Sequence, residues 1–426
     1  MKKVLMLAYY FPPLGMGGTQ RALKMVRYLP EFGWEATVLT VKPIAYWAQD
    51  PSLLREIPAA RIIRTGSLDP QRLLHLVKNR PSPKAATIHA EQKHGFVTWI
   101  NRKVLPLFLV PDSKRLWHAH ACAAAAPLLR REAFALIYST SPPHSVHLTA
   151  RRLAQKYHLP WVADFRDAWS GSVVVQEPTR LHRALQQRLQ KKIVRAADAV
   201  IAVTPGILKS LQGEDCGAKY HYIPNGFDAG DFPPQTPAPE DDAFQLLHCG
   251  AVTTFSDPRP VLNALKQLRR DQPGETKQLR LRFVGYDTFA MFQEWIQTLQ
   301  LQDCVHHSGY VPHHQALQAV GAADALLLIA CHEKDANFIP GKTFEYLASG
   351  KPILAVSNIA DTVALLRDMP GVILCHPRDE AAIRSALLRL QKDTGLAQAA
   401  RQRNLQPYER KYQARQLADI FDQLSA

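Results

Sequence analysis

Short, wholly apolar runs alternate with amphipathic stretches along most of this 426-residue chain. That alternation restricts the fold more than any other feature does. Residues 4–9 read as a strand buried on both faces. After the loop FPPLGMGGT, residues 20–32 carry Ala22, Val26 and Leu29 on one helical face. Thr19 stands where a helix cap is expected, and Gly33 where the helix must end. Residues 35–41 return as a strand, which completes a β-α-β unit with a glycine-rich turn after its first strand. Strands are expected again at 135–139, 161–164 and 199–203, with helices at 145–157 and 179–197. Such alternation predicts a parallel sheet covered by helices on both faces. Residues 51–127 fit the pattern less well; they are basic, punctuated by proline, and carry the apolar patch FVTWINRKVLPLFLVP at 96–111.

The segment PNGFDAGDFPPQTPAPEDDAF is rich in proline and acid and lacks any period, so it reads as a linker. The alternation then restarts. Strands are expected at 246–249, 281–284, 325–329 and 353–356, and helices at 261–270, 291–299 and 343–349. A last helix falls near 408–424. Two domains follow from the length as well. The expected organisation is a first domain over 1–228, a linker over 229–243 and a second domain over 244–405. A terminal helix over 406–426 should pack back on the first domain. The fold class is α/β, with two facing Rossmann-like domains and an interdomain cleft.

Charge divides the chain more sharply than composition does. Residues 1–228 hold 32 Lys and Arg against 15 Asp and Glu, whereas residues 229–426 hold 20 against 22. A basic first half calls for an anionic partner, such as a phosphate-bearing substrate or an acidic membrane surface, or is a solvated face kept for solubility. The basic residues are not interleaved with a nucleic-acid recognition motif, so nucleic acid is not an expected partner. Six cysteines form no C-x-x-C pair and suit reduced thiols in a cytoplasmic protein. The apolar run after Lys2 and Lys3 is short and broken by Pro12-Pro13, which fits a first buried strand better than a signal peptide.

The stretch IPGKTFEYLASGKPILAV at 339–356 carries the most chemical information. Gly341 precedes a helix start, where it permits close approach or unusual dihedrals. Lys342 sits beside the free backbone N–H groups of that start, which suits a phosphate. Glu345 lies three residues on and shares the face of Lys342, where it would accept hydrogen bonds from ribose hydroxyls. An ordinary exposed Lys/Glu pair on a surface helix is the other reading of the same residues.

This stretch resembles the donor-site segment of glycosyltransferase family 4, retaining enzymes of the GT-B fold. The resemblance keeps its order over nearly the whole chain. It runs through FPPLGMGGTQR, YSTSPPHS at 138–145, WVADFRDAWS at 161–170 and YIPNGFD at 222–228. HCGAVTTFSDPRPVL at 248–262 and SGYVPHHQAL at 308–317 continue it. The family's paired glutamates, separated by seven residues, imply ribose contact for Glu345 and place Asn337 at the sugar-contacting position. Glu333 lies in the same loop. The family's Arg after the first strand of the second domain is Ala251 here, which leaves Arg259 and Lys342 as the implied diphosphate cations. Where many members place a histidine, this chain has Phe165-Arg166-Asp167. Asp164, Arg166 and Asp167 therefore form either a charged site at a strand end or a structural ion pair. One acid would orient the acceptor and Arg166 would bind a phosphate or hold the acids. His144 is the best-placed catalytic histidine. Gly17, Gly18 and Thr19 form the implied acceptor and phosphate loop.

The resemblance implies a retaining glycosyltransferase that moves a sugar from a nucleoside diphosphate-sugar to a saccharide or lipid-linked acceptor in surface-polysaccharide assembly. No D-x-D element and no metal-ligand histidine spacing occurs, so neither a metal nor a cofactor is expected. A basic surface with Trp99, Leu105, Leu107 and Phe108 would dock on an anionic membrane, unless these side chains cover the domain's own core. The alternatives are a GT-B-fold sugar-nucleotide epimerase and a binding relative that has lost activity.

Overall fold

The computed structural model describes the chain apart from residues 16, 47–48, 79–107, 171–176, 214–218, 234–242 and 333–336. It divides into two compact units, Met1–Asn225 with Arg410–Ala426, and Gly226–Glu409. Most of the apolar patch at 96–111, Glu333 and most of the linker lie outside the described residues.

Unit 1 is built on a seven-stranded sheet whose strand pairs are all parallel. In chain order its strands are β1 (Lys2–Leu7), β2 (Trp34–Val41), β3 (Arg61–Thr65), β4 (Phe134–Ser141), β5 (Trp161–Phe165), β6 (Ala199–Ala202) and β7 (Tyr220–Tyr222). Side by side they run β3-β2-β1-β4-β5-β6-β7. Among the described residues the helices are α1 (Gly17–Tyr28), α2 (Pro70–Lys78), α3 (His118–Arg131), α4 (Ser145–Tyr157), α5 (Arg180–Ala196) and α6 (Pro205–Gln212). Successive residues of a strand face opposite sides, and β1 shows it. Val4, Met6 and Ala8 pack in one layer with Ala22, Leu23 and Val26 of α1. Leu5, Leu7 and Tyr9 pack in the other with Ala121 of α3 and Val146, Ala150 and Leu153 of α4.

Unit 2 repeats the plan with six parallel strands. They are β8 (Phe244–Cys249), β9 (Leu279–Val284), β10 (Val305–His307), β11 (Ala325–Ala330), β12 (Ile353–Ser357) and β13 (Val372–Cys375), ordered β10-β9-β8-β11-β12-β13. Its helices are α7 (Arg259–Asp271), α8 (Phe292–Thr298), α9 (His313–Ala322), α10 (Lys342–Ala348), α11 (Ala360–Leu366), α12 (Glu380–Lys392) and α13 (Thr394–Ala400). α7, α8 and α12 cover one face. α9, α10 and α11 cover the other. The chain then returns to unit 1 as α14 (Arg410–Leu424), where Phe421 meets the Trp34 and Tyr138 rings at 5.1 and 5.8 Å.

The strand order of both sheets reverses beside the first strand, between β1 and β4 in unit 1 and between β8 and β11 in unit 2. Ligands of doubly wound proteins bind in the crevice that opens at such a switch point. In unit 2 the two strands part early. β8 and β11 pair only through Leu246 and Leu247, with Ala325 and Leu326 as partners.

The helix expected at 20–32 begins earlier, at Gly17, and ends as a 3-10 turn over Leu29–Phe32. Thr19 is thus the third residue of α1 and not its cap. Gly33 closes the turn at φ 83°, as a left-handed C-terminal residue. Among the described residues no helix is long and apolar enough to cross a membrane, and five cysteines are free thiols.

Two buried arginines tie loops to these sheets. Arg21 of α1 makes a forked bond to Asp164, Nε to Oδ2 at 3.0 Å and Nη2 to Oδ1 at 2.9 Å. It also reaches the Pro224 carbonyl at 2.7 Å. Arg403, between α13 and α14, donates to the carbonyls of Leu347, Lys351, Pro370 and Gly371, which fixes the end of α10 against β13. Asp164→Ala is expected to cost about 3–5 kcal/mol because it strands a buried guanidinium. Arg403→Ala should cost about 2–4 kcal/mol through unmet carbonyls. Urea denaturation checks both.

Candidate functional site

The crevice of unit 2 is floored by glycines. Gly250 follows β8 at φ 143° and Gly285 follows β9 at φ 150°. A Cβ on Gly285 would lie 2.2 Å from the Gly250 carbonyl oxygen, so only glycine lets the two backbones touch. A Cβ on Gly250 would lie 2.7 Å from Lys342 Nζ. The Lys342 ammonium therefore lies against bare backbone at the carboxyl end of the first strand.

α10 is fixed in register by its buried face. Thr343, Phe344, Tyr346 and Leu347 are buried. The Tyr346 hydroxyl accepts from the Cys249 N–H at 2.6 Å and donates to the Cys249 carbonyl at 3.2 Å. With Tyr346 locked to β8, Lys342 and Glu345 face the crevice together. Lys342 Nζ donates to His248 Nε2 at 2.9 Å, and Glu345 Oε1 lies 2.9 Å from His313 Nε2 of α9. Burial pushes the Lys342 ammonium down to about 8, although Cys249 and Glu345 pull it upward.

Other residues expected at this site stand differently. Gly341 has ordinary helical dihedrals, φ −56° and ψ −38°. A Cβ there would meet nothing within 4 Å, so its backbone needs no glycine. Arg259 is paired with Asp257 and its guanidinium lies over the Trp295 ring at 5.2 Å. Asn337 is exposed in the loop that leads from β11 to α10. Phe338 beside it meets Phe255 at 5.4 Å, and Phe255 also stacks on His332 at 4.7 Å. The loops after β8 and β11 thus hold each other.

In unit 1 the sequence-predicted residues separate into two layers. Asp164 is fully buried and accepts from Arg21, from Tyr138 Oη at 2.7 Å and from Thr140 Oγ1 at 2.7 Å. These partners hold its carboxyl below the usual range against the opposing effect of burial. Its chemistry is that of an ion pair in the core. His144 lies just past β4 and Arg166 just past the neighbouring β5. Arg166 donates to the Ser141 and Pro142 carbonyls at 2.9 and 3.1 Å. Its Nη1 lies 3.6 Å from where a Cβ on Gly18 would stand, beside the first turn of α1. Asp167 is half-buried next to Arg166, and burial raises its carboxyl. His144 stacks on Trp169 at 4.8 Å with the rings nearly parallel, and burial pushes its imidazole down to about 3. It is a neutral histidine across the usual pH range.

Residues 16–226 match the glycosyl transferase 4-like domain, and residues 243–393 match the glycosyl transferases group 1 domain. The chain is a glycosyltransferase of the family 4/group 1 type. Among solved structures, HepE of Anabaena in complex with UDP aligns over 99% of this glycosyltransferase and 100% of its own chain, at 16% identity and a TM-score of 0.65. Sucrose-phosphate synthase of Thermosynechococcus elongatus aligns over 100% and 99%, at 17% identity and a TM-score of 0.67. At such identities the likeness concerns the fold, which is GT-B. Comparison with curated protein sequences finds no significant match.

Sequence reasoning passed over His248, His313 and Tyr346. The signal for His248 was a histidine inside an otherwise apolar strand, LLHC. The signal for the glycine floor was a glycine after each of three strands, at 250, 285 and 309. Because burial lowers the Lys342 ammonium to about 8, anion affinity at this site is expected to be full well below that pH and to fall as pH rises through it. A calorimetric pH series with a nucleoside diphosphate checks the sign. Gly250→Ala should displace Lys342 and weaken the same binding about tenfold or more.

Proposed function

We propose that this glycosyltransferase moves a sugar from a nucleoside diphosphate-sugar, held by unit 2, to a saccharide or lipid-linked acceptor, held by unit 1. The observation that carries the reading is the Lys342 ammonium set beside Gly250 at the switch point, with Glu345 one turn along the same helix. The cation meets the diphosphate and Glu345 accepts from the ribose. As the sugar leaves, negative charge grows on the diphosphate, and a cation already in place stabilises it without reorganisation. Asn337 is left as a neutral hydrogen-bonding group for the sugar. HepE has been solved with UDP and with UDP-glucose, which supports UDP-sugars as the first donors to try. The stacked Tyr286 and Tyr310 rings, 4.9 Å apart just beyond Gly285 and Gly309, offer a flat face for a base.

The proposed reaction retains anomeric configuration and uses neither metal nor cofactor, since Lys342 supplies the charge. Arg166, Gly18 and the neutral His144 are the acceptor-side groups. The proposed setting is surface-polysaccharide assembly on the cytoplasmic face of a membrane. Exposed Leu68, Leu73, Leu76 and Phe108 in the basic unit support peripheral docking on anionic lipid. Trp99, Leu105 and Leu107 lie outside the described residues.

Calorimetry with UDP, GDP, ADP, dTDP and CMP tests the donor site. One nucleoside diphosphate is expected to bind selectively. Lys342→Ala should cost about 2–4 kcal/mol of that binding, and Glu345→Ala about 1–3 kcal/mol. EDTA should change neither value. Conversion of a donor sugar to its epimer with no acceptor present would instead assign an isomerase.

A further inference from the structure

His248 is an unusual residue to find where it is. It is completely buried at the end of β8, at the point where β8 and β11 stop pairing. Its ring spans the split. Nδ1 lies 3.0 Å from the Leu327 carbonyl oxygen of β11, and Nε2 lies 2.9 Å from Lys342 Nζ of α10. A carbonyl only accepts, so Nδ1 carries the hydrogen and Nε2 presents its lone pair. The ammonium, which has no lone pair, is therefore the donor in the second bond. One imidazole thus fixes the cation relative to both strands of the switch point.

The chemistry of that acceptor matters. Lysine is a flexible point charge that loses side-chain entropy when held in one place. A carboxylate would hold it equally well but would cancel its charge. A neutral imidazole holds the ammonium and leaves the charge available to an anion. It also takes only one of the three N–H donors.

We propose that His248 is a positioning residue for the donor diphosphate, its Nε2 lone pair holding the Lys342 ammonium beside Gly250 without neutralising it. The inference rests on the donor-site reading above. The other titratable groups that face Lys342 are Cys249 on β8 and Glu345 on its own helix, with Phe283 of β9 packed on the His248 ring at 5.3 Å.

Three variants separate acceptor, charge and packing: His248→Gln keeps a neutral acceptor, His248→Glu keeps an acceptor but adds a negative charge, and His248→Phe keeps bulk alone. UDP affinity is measured by calorimetry from pH 6 to 9, with thermal melts as the folding control. His248→Gln is expected within about threefold of the parent, and both other variants about tenfold or more weaker. In His248→Phe the alkaline fall in affinity should begin at lower pH, because an unaccepted ammonium loses its proton sooner. In a Lys342→Ala background His248→Phe should cost nothing further. Equal affinity and an unchanged pH limb in His248→Phe would overturn the proposal, as would an equal loss in the Lys342→Ala background. Failure of the parent protein to bind any nucleoside diphosphate would overturn the donor-site reading instead. In that case the Lys342 titration, followed by NMR on ligand-free parent, His248→Gln and His248→Phe proteins, still decides whether His248 holds the ammonium. An identical titration in all three sinks the inference.

Discussion

A parallel sheet buried on both faces leaves polar chemistry one place to stand, the carboxyl ends of its strands. The candidate site of unit 2 follows from that constraint. In each unit the buried residues of the first strand are committed alternately to two helical layers, which leaves no room for a charged group between them. At the strand end the layers part. The reversal of strand order then opens a crevice whose walls are backbone and loop. Unit 2 exploits it with Gly250 and Gly285, whose bare backbones touch and so admit the Lys342 ammonium.

The two units handle a buried cation in opposite ways. In unit 1, Arg21 is matched by the fully buried Asp164, and the pair is closed further by Tyr138 and Thr140. Such a pair orders a strand end and has no charge left to offer. In unit 2, Lys342 meets the uncharged His248, which supports the ammonium without cancelling it. Nothing in the identity of the cation separates these roles. The partner does: a carboxylate cancels the cation in a structural tie, and a neutral imidazole holds it with its charge intact. Arg259 illustrates the first outcome at the surface, since Asp257 already satisfies it.

Much of this was legible in the chain. The continuous apolar strands, the amphipathic helices between them and the restart after the proline-rich linker are local patterns, and local patterns survive folding. Lys342 and Glu345 on one helical face were also legible, because helical spacing alone places them together. The elements within 51–127 were not. β3 is short and only half-buried, and α2 is short and presents exposed leucines, so neither leaves a clean period.

What the sequence determined by itself was therefore the α/β class, the two arrays and the helix that carries the site's two charged residues. What only the tertiary structure decided was the use of each charge. Asp164 and Arg166 are two residues apart, yet β5 sends the first into the core toward Arg21 and the second toward Ser141 and Gly18. His248 and Lys342 are 94 residues apart and meet only because the β8/β11 reversal brings α10 over the end of the first strand. Spacing along a helix or strand is written in the chain. A contact across a switch point is set by which strands lie side by side, and that emerges only when the whole sheet has packed.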